Sequence, residues 1–259
     1  MLLGEALDAG VGIREVVAEP GADPDLLERV SAAGVTLCEV DDGVLAKALD
    51  LVQPQAVAAV VRRELREPAA VVGAASSGVR PLVVLVGLQD PGNAGTLVRA
   101  AEAAGAAGVV LTAGSVDVTN PKCVRATAGS LFRVPVAEGV DPEALLGLLD
   151  GHGLPAWALV GGAGAAPEVV PAGAPVALLV GSEAHGLAPS LVARCRGSVS
   201  IPMEGRVESL NAGVAGSVVL FDLARRRRVR AGDPGGAGDG LGPERSGGRG
   251  RPVGHNDRP

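Results

Sequence analysis

Aromatic side chains are nearly missing: the 259-residue chain holds two phenylalanines, one tryptophan and no tyrosine. An RNA-recognition sheet or an OB-fold, which stack bases on rings, is therefore not expected, and any nucleic acid must be held by other means. Cysteine is scarce as well. Cys38, Cys123 and Cys195 are far apart, odd in number and never in a Cys-x-x-Cys pair, which excludes a zinc ribbon or an iron-sulfur cluster and leaves no metal site to expect. They read as reduced thiols of a cytoplasmic protein. The clearest apolar run, Pro81 to Leu88, falls far short of the roughly 18 to 20 residues of a membrane span. Residues 1–11 lack a basic start and contain Glu5 and Asp8, so no signal peptide is expected.

The chain carries a net charge of −6, which argues against a nucleic-acid binder, but the charge is uneven. From Arg225 onward nine arginines face four acids, whereas residues 1–224 hold 14 basic and 25 acidic side chains. Arg225, Arg226, Arg227, Arg228 and Arg230 form one cluster; Arg62, Arg63 and Arg66 form a smaller one. Each reads equally as a solvated element end or as a contact for RNA phosphates. Residues 231–259 are Gly, Pro, Asp, Arg and Ser with almost no apolar content, the composition of a disordered tail.

Between these extremes the pattern is α/β. Residues 1–66 read as a small module: a helical stripe at Leu2, Leu3, Ala6 and Leu7, strands at Ile13 to Ala18, Val35 to Val40 and Ala56 to Val61, and helices opened by Asp23 or Pro24 and by Asp42. Residues 67–80, with Pro68 and a run of small residues, show no sustained period and read as a linker. A second unit spans residues 81–230. Leu82 to Leu88 has the continuous β-branched character of a strand buried on both faces of a parallel sheet. Strands are expected again at Val109 to Leu111, Phe132 to Val136, Pro155 to Val160, Val176 to Val180 and Val199 to Ile201. Helices between them and a terminal helix from Ser209 to Arg227 complete an open, mostly parallel sheet.

Ligands of such sheets sit at the carboxyl ends of the strands. The first loop there runs from Leu88 through Asp90, Pro91, Gly92 and Asn93 to Arg99. Its glycines match neither dinucleotide nor phosphate-loop spacing. Asn93 and Arg99 are about one and two-thirds turns apart, so they need not share a helix face, and they read equally as a cap and a surface arginine or as site residues. The second loop, Gly181-Ser182-Glu183-Ala184-His185-Gly186, offers a glycine where a ligand's approach needs backbone and one carboxylate, Glu183. His185 reads as a solvent-facing residue. The third, Ile201-Pro202-Met203 followed by Ser209-Leu210-Asn211, provides uncharged hydrogen-bonding groups at the start of the last helix.

Taken together, in this order and spacing, the three segments resemble the motifs of the SpoU family of RNA ribose 2'-O-methyltransferases, within the SPOUT superfamily. The resemblance covers about Pro81 to Arg227. It implies a parallel-sheet domain with a C-terminal trefoil knot, a rare exception to unknotted chains. It also implies bound S-adenosylmethionine, a homodimer that builds each site from both chains, and an RNA substrate. Residues 1–66 are similar to the family's small RNA-binding domain, beginning within its first helix, without its first strand and basic leader. By this resemblance Leu179, Gly181, Ile201, Met203 and Leu210 form the cofactor pocket. Arg99 is the catalytic arginine, with Asn93, Glu183, Ser209 and Asn211 shaping the site around it. The chain's own local basic groups Arg62, Arg63, Arg66 and Arg125 are the expected contacts for RNA phosphates. The small domain points to ribosomal RNA by analogy, with transfer RNA as the alternative. A rival class, a non-catalytic RNA-binding or assembly protein of this fold, would have no need of all five catalytic positions. An ordinary dinucleotide enzyme would need a Gly-x-Gly-x-x-Gly turn that is not present.

Overall fold

A computed structural model describes residues 2–49, 55–162, 164–206 and 209–232. The arginine-rich tail expected to be disordered lies, from 233 on, outside the described residues, as do Val207 and Glu208 of the third motif.

The N-terminal part folds around its own three-stranded sheet. Strand β1 (Ile13–Ala18) pairs parallel to β2 (Thr36–Glu39) and antiparallel to β3 (Val57–Val61). Helices α1 (Leu2–Asp8), α2 (Pro24–Ala32) and α3 (Val44–Leu49) accompany it. Leu3, Val16, Leu26 and Val30 form the core. The cap of α2 is Asp23, whose side chain accepts from Asp25 N, with Pro24 in the first turn where its missing N–H costs nothing.

The segment expected to be a linker is instead a helix, α4 (Pro68–Ser76), whose Val71, Val72 and Ala75 are buried against the large sheet. Small and apolar residues occupy nearly every side of it, so no polar face marks the 3.6-residue period. The joining segment is the extended stretch Arg62–Glu67, anchored where Arg66 N donates to Val136 O at 2.8 Å.

The large sheet has six parallel strands in the order β6-β5-β4-β8-β7-β9. They are β4 (Leu82–Val86), β5 (Gly108–Thr112), β6 (Val136–Val140), β7 (Ala156–Leu159), β8 (Ala177–Gly181) and β9 (Gly197–Val199). On one face pack α5 (Pro91–Ala103), α6 (Pro121–Thr127) and α9 (Ala212–Arg230); on the other, α4, α7 (Pro142–Gly151) and α8 (Pro189–Arg194). The strand expected from Phe132 starts at Val136. Ser130–Phe132 is a 3-10 turn, and Pro135, with no N–H for a ladder, precedes the strand. No helix among the described residues is long and apolar enough to cross a membrane.

Two of the arginines clustered at the chain's end are structural. Arg226 donates to the carbonyls of Pro167, Glu168 and Val170 and pairs with Asp222, holding the segment after β7 to α9. Arg227 donates to Ala104 O at 2.8 Å, satisfying a carbonyl at the end of α5.

Candidate active site

The site follows from the register at the centre of the sheet. Val86 of β4 lies opposite Gly181 of β8, so the loops leaving these two strands emerge side by side. The chain turns sharply at Gly87, at φ +60°, and the turn is pinned by Gly87 N to Thr112 Oγ1 and by Leu88 N to Ser115 Oγ. Asp90 then caps α5, accepting from Asn93 N at 2.8 Å. Asn93 is therefore not the cap. It sits in the first turn, buried, and its Nδ2 donates to Glu183 Oε1 at 2.7 Å. First and second motifs are joined by this bond.

The third motif arrives through α9. Asn211 caps that helix, accepting from Val214 N at 3.2 Å. A Cβ on Gly213 would lie 3.1 Å from Asn211 Oδ1 and 3.2 Å from Asn93 Oδ1, and one on Gly216 would lie 2.5 Å from Leu97. Glycine at both positions lets the start of α9 lie directly on α5 and brings the two asparagines together.

Beside them opens a cleft of about 460 Å³, within the range of small-ligand sites. Gly181, Ile201, Met203 and Leu210, expected at a cofactor pocket, line it together with Glu183, Ser209 and Asn211. Leu179 does not: its side chain is buried on the opposite face of the sheet among Val71, Leu149 and Leu187, and Val180 takes its place in the lining. The period of two in a strand decides between neighbours that a resemblance treats alike. A fourth wall, from Leu159 at the end of β7 to Gly162, belongs to none of the three motifs. Its signal in the sequence is a strand followed by Gly-Gly, close to the strand-then-glycine pattern that marks β8.

Glycine at 181 is also required by its own loop. A Cβ there would fall on the backbone of its own loop, 2.5 Å from Leu187 N and 2.6 Å from Gly186 O. The loop closes on the glycine, with Gly186 N donating to Ser182 O at 2.8 Å. His185 is exposed and is not among the residues lining the cleft.

Arg99 is not brought to the others within one chain. It lies on the exposed side of α5, and no described residue pairs with it. Arg62, Arg66 and Arg125 are likewise exposed and unpaired among the described residues, but Arg63 is engaged by Glu138 and, at 3.7 Å, by Asp117. These pairs border a crevice of about 660 Å³ at the ends of β5 and β6. Its carboxylates are already occupied: Glu138 also accepts from Val118 N, and Asp117, held below the usual carboxylate range by its hydrogen bonds from Thr119, is likewise committed. Burial pushes the Cys123 and Cys195 thiols up to about 11, so neither is a nucleophile at neutral pH. Among the described residues no group of acidic, histidine or cysteine side chains is placed to hold a metal ion.

Comparison with known proteins agrees with this geometry. A family model described as the SpoU rRNA Methylase family matches residues 80–221. An uncharacterised tRNA/rRNA methyltransferase of Synechocystis is 35% identical over 215 residues, covering 82% of this chain and 76% of that protein. The 23S rRNA (guanosine-2'-O-)-methyltransferase RlmB of Xanthomonas axonopodis is 32% identical over 222 residues, covering 83% and 89%. The crystal structure of an AdoMet-bound rRNA methyltransferase from Sinorhizobium meliloti superposes with a TM-score of 0.76 at 30% identity, covering 87% of this chain and 84% of that one. With a family model matched over more than half of its length, the chain belongs to the SpoU rRNA methylase family.

Proposed function

We propose that the protein transfers the methyl group of S-adenosylmethionine to a ribose 2'-hydroxyl of structured RNA, with ribosomal RNA as the substrate. The observation that carries this reading is the make-up of the cleft: among its described lining residues Glu183 is the one ionisable group, set among glycines, aliphatic side chains, Ser182, Ser209 and Asn211. A cleft with a carboxylate and no cation suits a cationic sulfonium and amine, and is ill suited to the phosphates of a dinucleotide. Val160, Ile201, Met203 and Leu210 offer an apolar bed for a purine. The relatives named above as rRNA methyltransferases support the RNA class.

When bound, the cofactor supplies an already activated methyl group, so the chain's own residues have to orient the hydroxyl and promote loss of its proton. Asn93, fixed by Glu183, presents an amide oxygen beside Asn211 for that hydroxyl. A guanidinium is a poor general base, so Arg99 is not assigned the proton. Its role in this reading is to hold the phosphate next to the target ribose and to stabilise charge developing on the oxygen, the proton leaving to phosphate or water.

Because Arg99 faces outward, the reading requires a second copy of the chain. The outward side of α9 carries exposed Val214, Val218 and Phe221 at helical spacing, an apolar stripe suited to a homodimer in which Arg99 completes a composite site. A trefoil knot is part of the same reading. Its support is the close parallel pairing of the chain after β7 with the end of β9, where Ala165 bridges Val199, a Cβ on Gly164 would lie 2.6 Å from Ser200 N and Ser200 Oγ donates to Gly164 O. The N-terminal sheet with its arginines is the RNA-binding domain. Mapping 2'-O-methyl groups on total RNA from cells with and without the gene tests the proposal. One ribosomal site should lose its methyl group, and an unchanged map would reject it.

A further inference from the structure

A groove of about 360 Å³ lies between the N-terminal sheet and the large unit. One side is formed by β3 and the joining segment, with Arg62, Leu65 and Arg66, the other by the stretch from Leu131 to Pro135, with Thr119 at its edge. Two features separate it from an ordinary interdomain crevice. The first is Phe132, one of only three aromatic residues in the chain, which lines the groove half-buried and belongs to none of the three hydrophobic clusters. The second is the state of the arginines. Arg63 is bound by Glu138 and Asp117, and Arg133 by Glu5 and Glu102, so these two fasten the walls together. Arg62 and Arg66 lie exposed on the same extended segment and make no ion pair among the described residues. Glu64, exposed between them, is the one acid among the groove's described lining residues.

We infer that this groove holds a single unstacked nucleobase of the RNA substrate, stacked on Phe132, with the neighbouring phosphates on Arg62 and Arg66. An apolar slot with one ring and guanidiniums on its rim matches a nucleotide, whose base has a π-face and whose backbone is anionic. One ring cannot form a stacking platform, but one base needs only one ring. The cavity is wide enough for a base and too small for a helix. The inference rests on the proposed RNA substrate and adds to it where a nucleotide outside the methylation cleft is gripped.

Phe132→Trp places an indole in the slot of a chain whose other indole is Trp157, so the unsubstituted protein supplies the background signal. Adding a single-stranded RNA oligonucleotide should quench the emission of the substituted protein and leave that of the original unchanged. Phe132→Leu, which keeps apolar volume and removes the ring, should weaken oligonucleotide binding roughly 5- to 150-fold, the scale of one base on one ring, without changing the salt dependence. Replacing Arg62 and Arg66 by Ala should instead lower the slope of log affinity against log salt by about 1.4. All three variants should bind S-adenosylmethionine as the original does. If the oligonucleotide binds the Phe132→Trp protein without quenching its added indole, or if Phe132→Leu binds as tightly as the original, the slot is overturned while the methyltransferase reading stands. If the original protein binds no RNA at all, it is that reading which fails.

Discussion

Asn93 Nδ2 and Glu183 Oε1 lie 2.7 Å apart, in a hydrogen bond that joins two residues ninety positions distant in sequence. The parallel pairing of β4 with β8 makes this bond possible, and it ties the buried asparagine to a carboxylate that lines the cleft. The two side chains should act as a unit. Asn93→Ala and Glu183→Ala should each reduce kcat/KM for methyl transfer, and the double substitution should cost less than the two together, with a coupling of about 0.5 to 3 kcal/mol. A double-mutant cycle measures it; strictly additive losses would show that the bond has no part in the reaction.

Arg99→Ala separates binding from transfer. Since Arg99 lies outside the cleft lining, calorimetry should find affinity for S-adenosylmethionine within a few fold of the original. Methyl transfer should fall by about two orders of magnitude or more, the effect of losing one transition-state donor. Loss of cofactor affinity in parallel with activity would assign Arg99 a structural role.

Gly181→Ala should destabilise the protein, because its Cβ meets the backbone of Gly186 and Leu187 and the loop must open to admit it. Thermal unfolding should begin at lower temperature and cofactor binding should weaken together with it. A variant that melts normally yet binds no cofactor would mean that the glycine makes room for the ligand and not for the loop.

The contact of Arg133 with Glu102 and Glu5 predicts an acid sensitivity. The hydrogen bond from Arg133 holds the Glu102 carboxyl below the usual range. The stabilisation is therefore complete above the ordinary glutamate pKa of about 4.3 and is lost as pH falls through the lower folded-state value. Glu102 on α5 thereby ties Arg133 and the turn before β6 to that helix, so this contact should loosen as the pH falls below the ordinary glutamate range, as followed by amide exchange across α5. In Arg133→Ala that loosening should already be present at neutral pH, with little further change on acidification.

Much of this is legible in the sequence, and the gaps have physical causes. Continuous apolar strands and proline- or aspartate-opened helices announce a parallel sheet without any structure, and β1 falls where the pattern puts it. Helix α4 is hidden because Pro68 to Ser76 lacks a polar face. Leu179 reads as a cleft residue because a motif marks a segment, whereas the pleat sends alternate side chains to opposite faces. The fourth wall at Leu159 to Gly162 escapes notice because its residues bear no reactive group. The commitments of Arg63, Arg226 and Arg227 cannot be read at all: their partners include carboxylates and carbonyls far away in sequence. A charge run in a sequence shows how many arginines there are and not how many are free.

The central claim is tested most directly by incubating the purified protein with ribosomal RNA and methyl-labelled S-adenosylmethionine, digesting the RNA to nucleosides and identifying the labelled product. The account predicts label in a single 2'-O-methylnucleoside, and its loss when Asn211→Ala replaces the original protein. Label on a base, or none in RNA although the cofactor is bound, would contradict it.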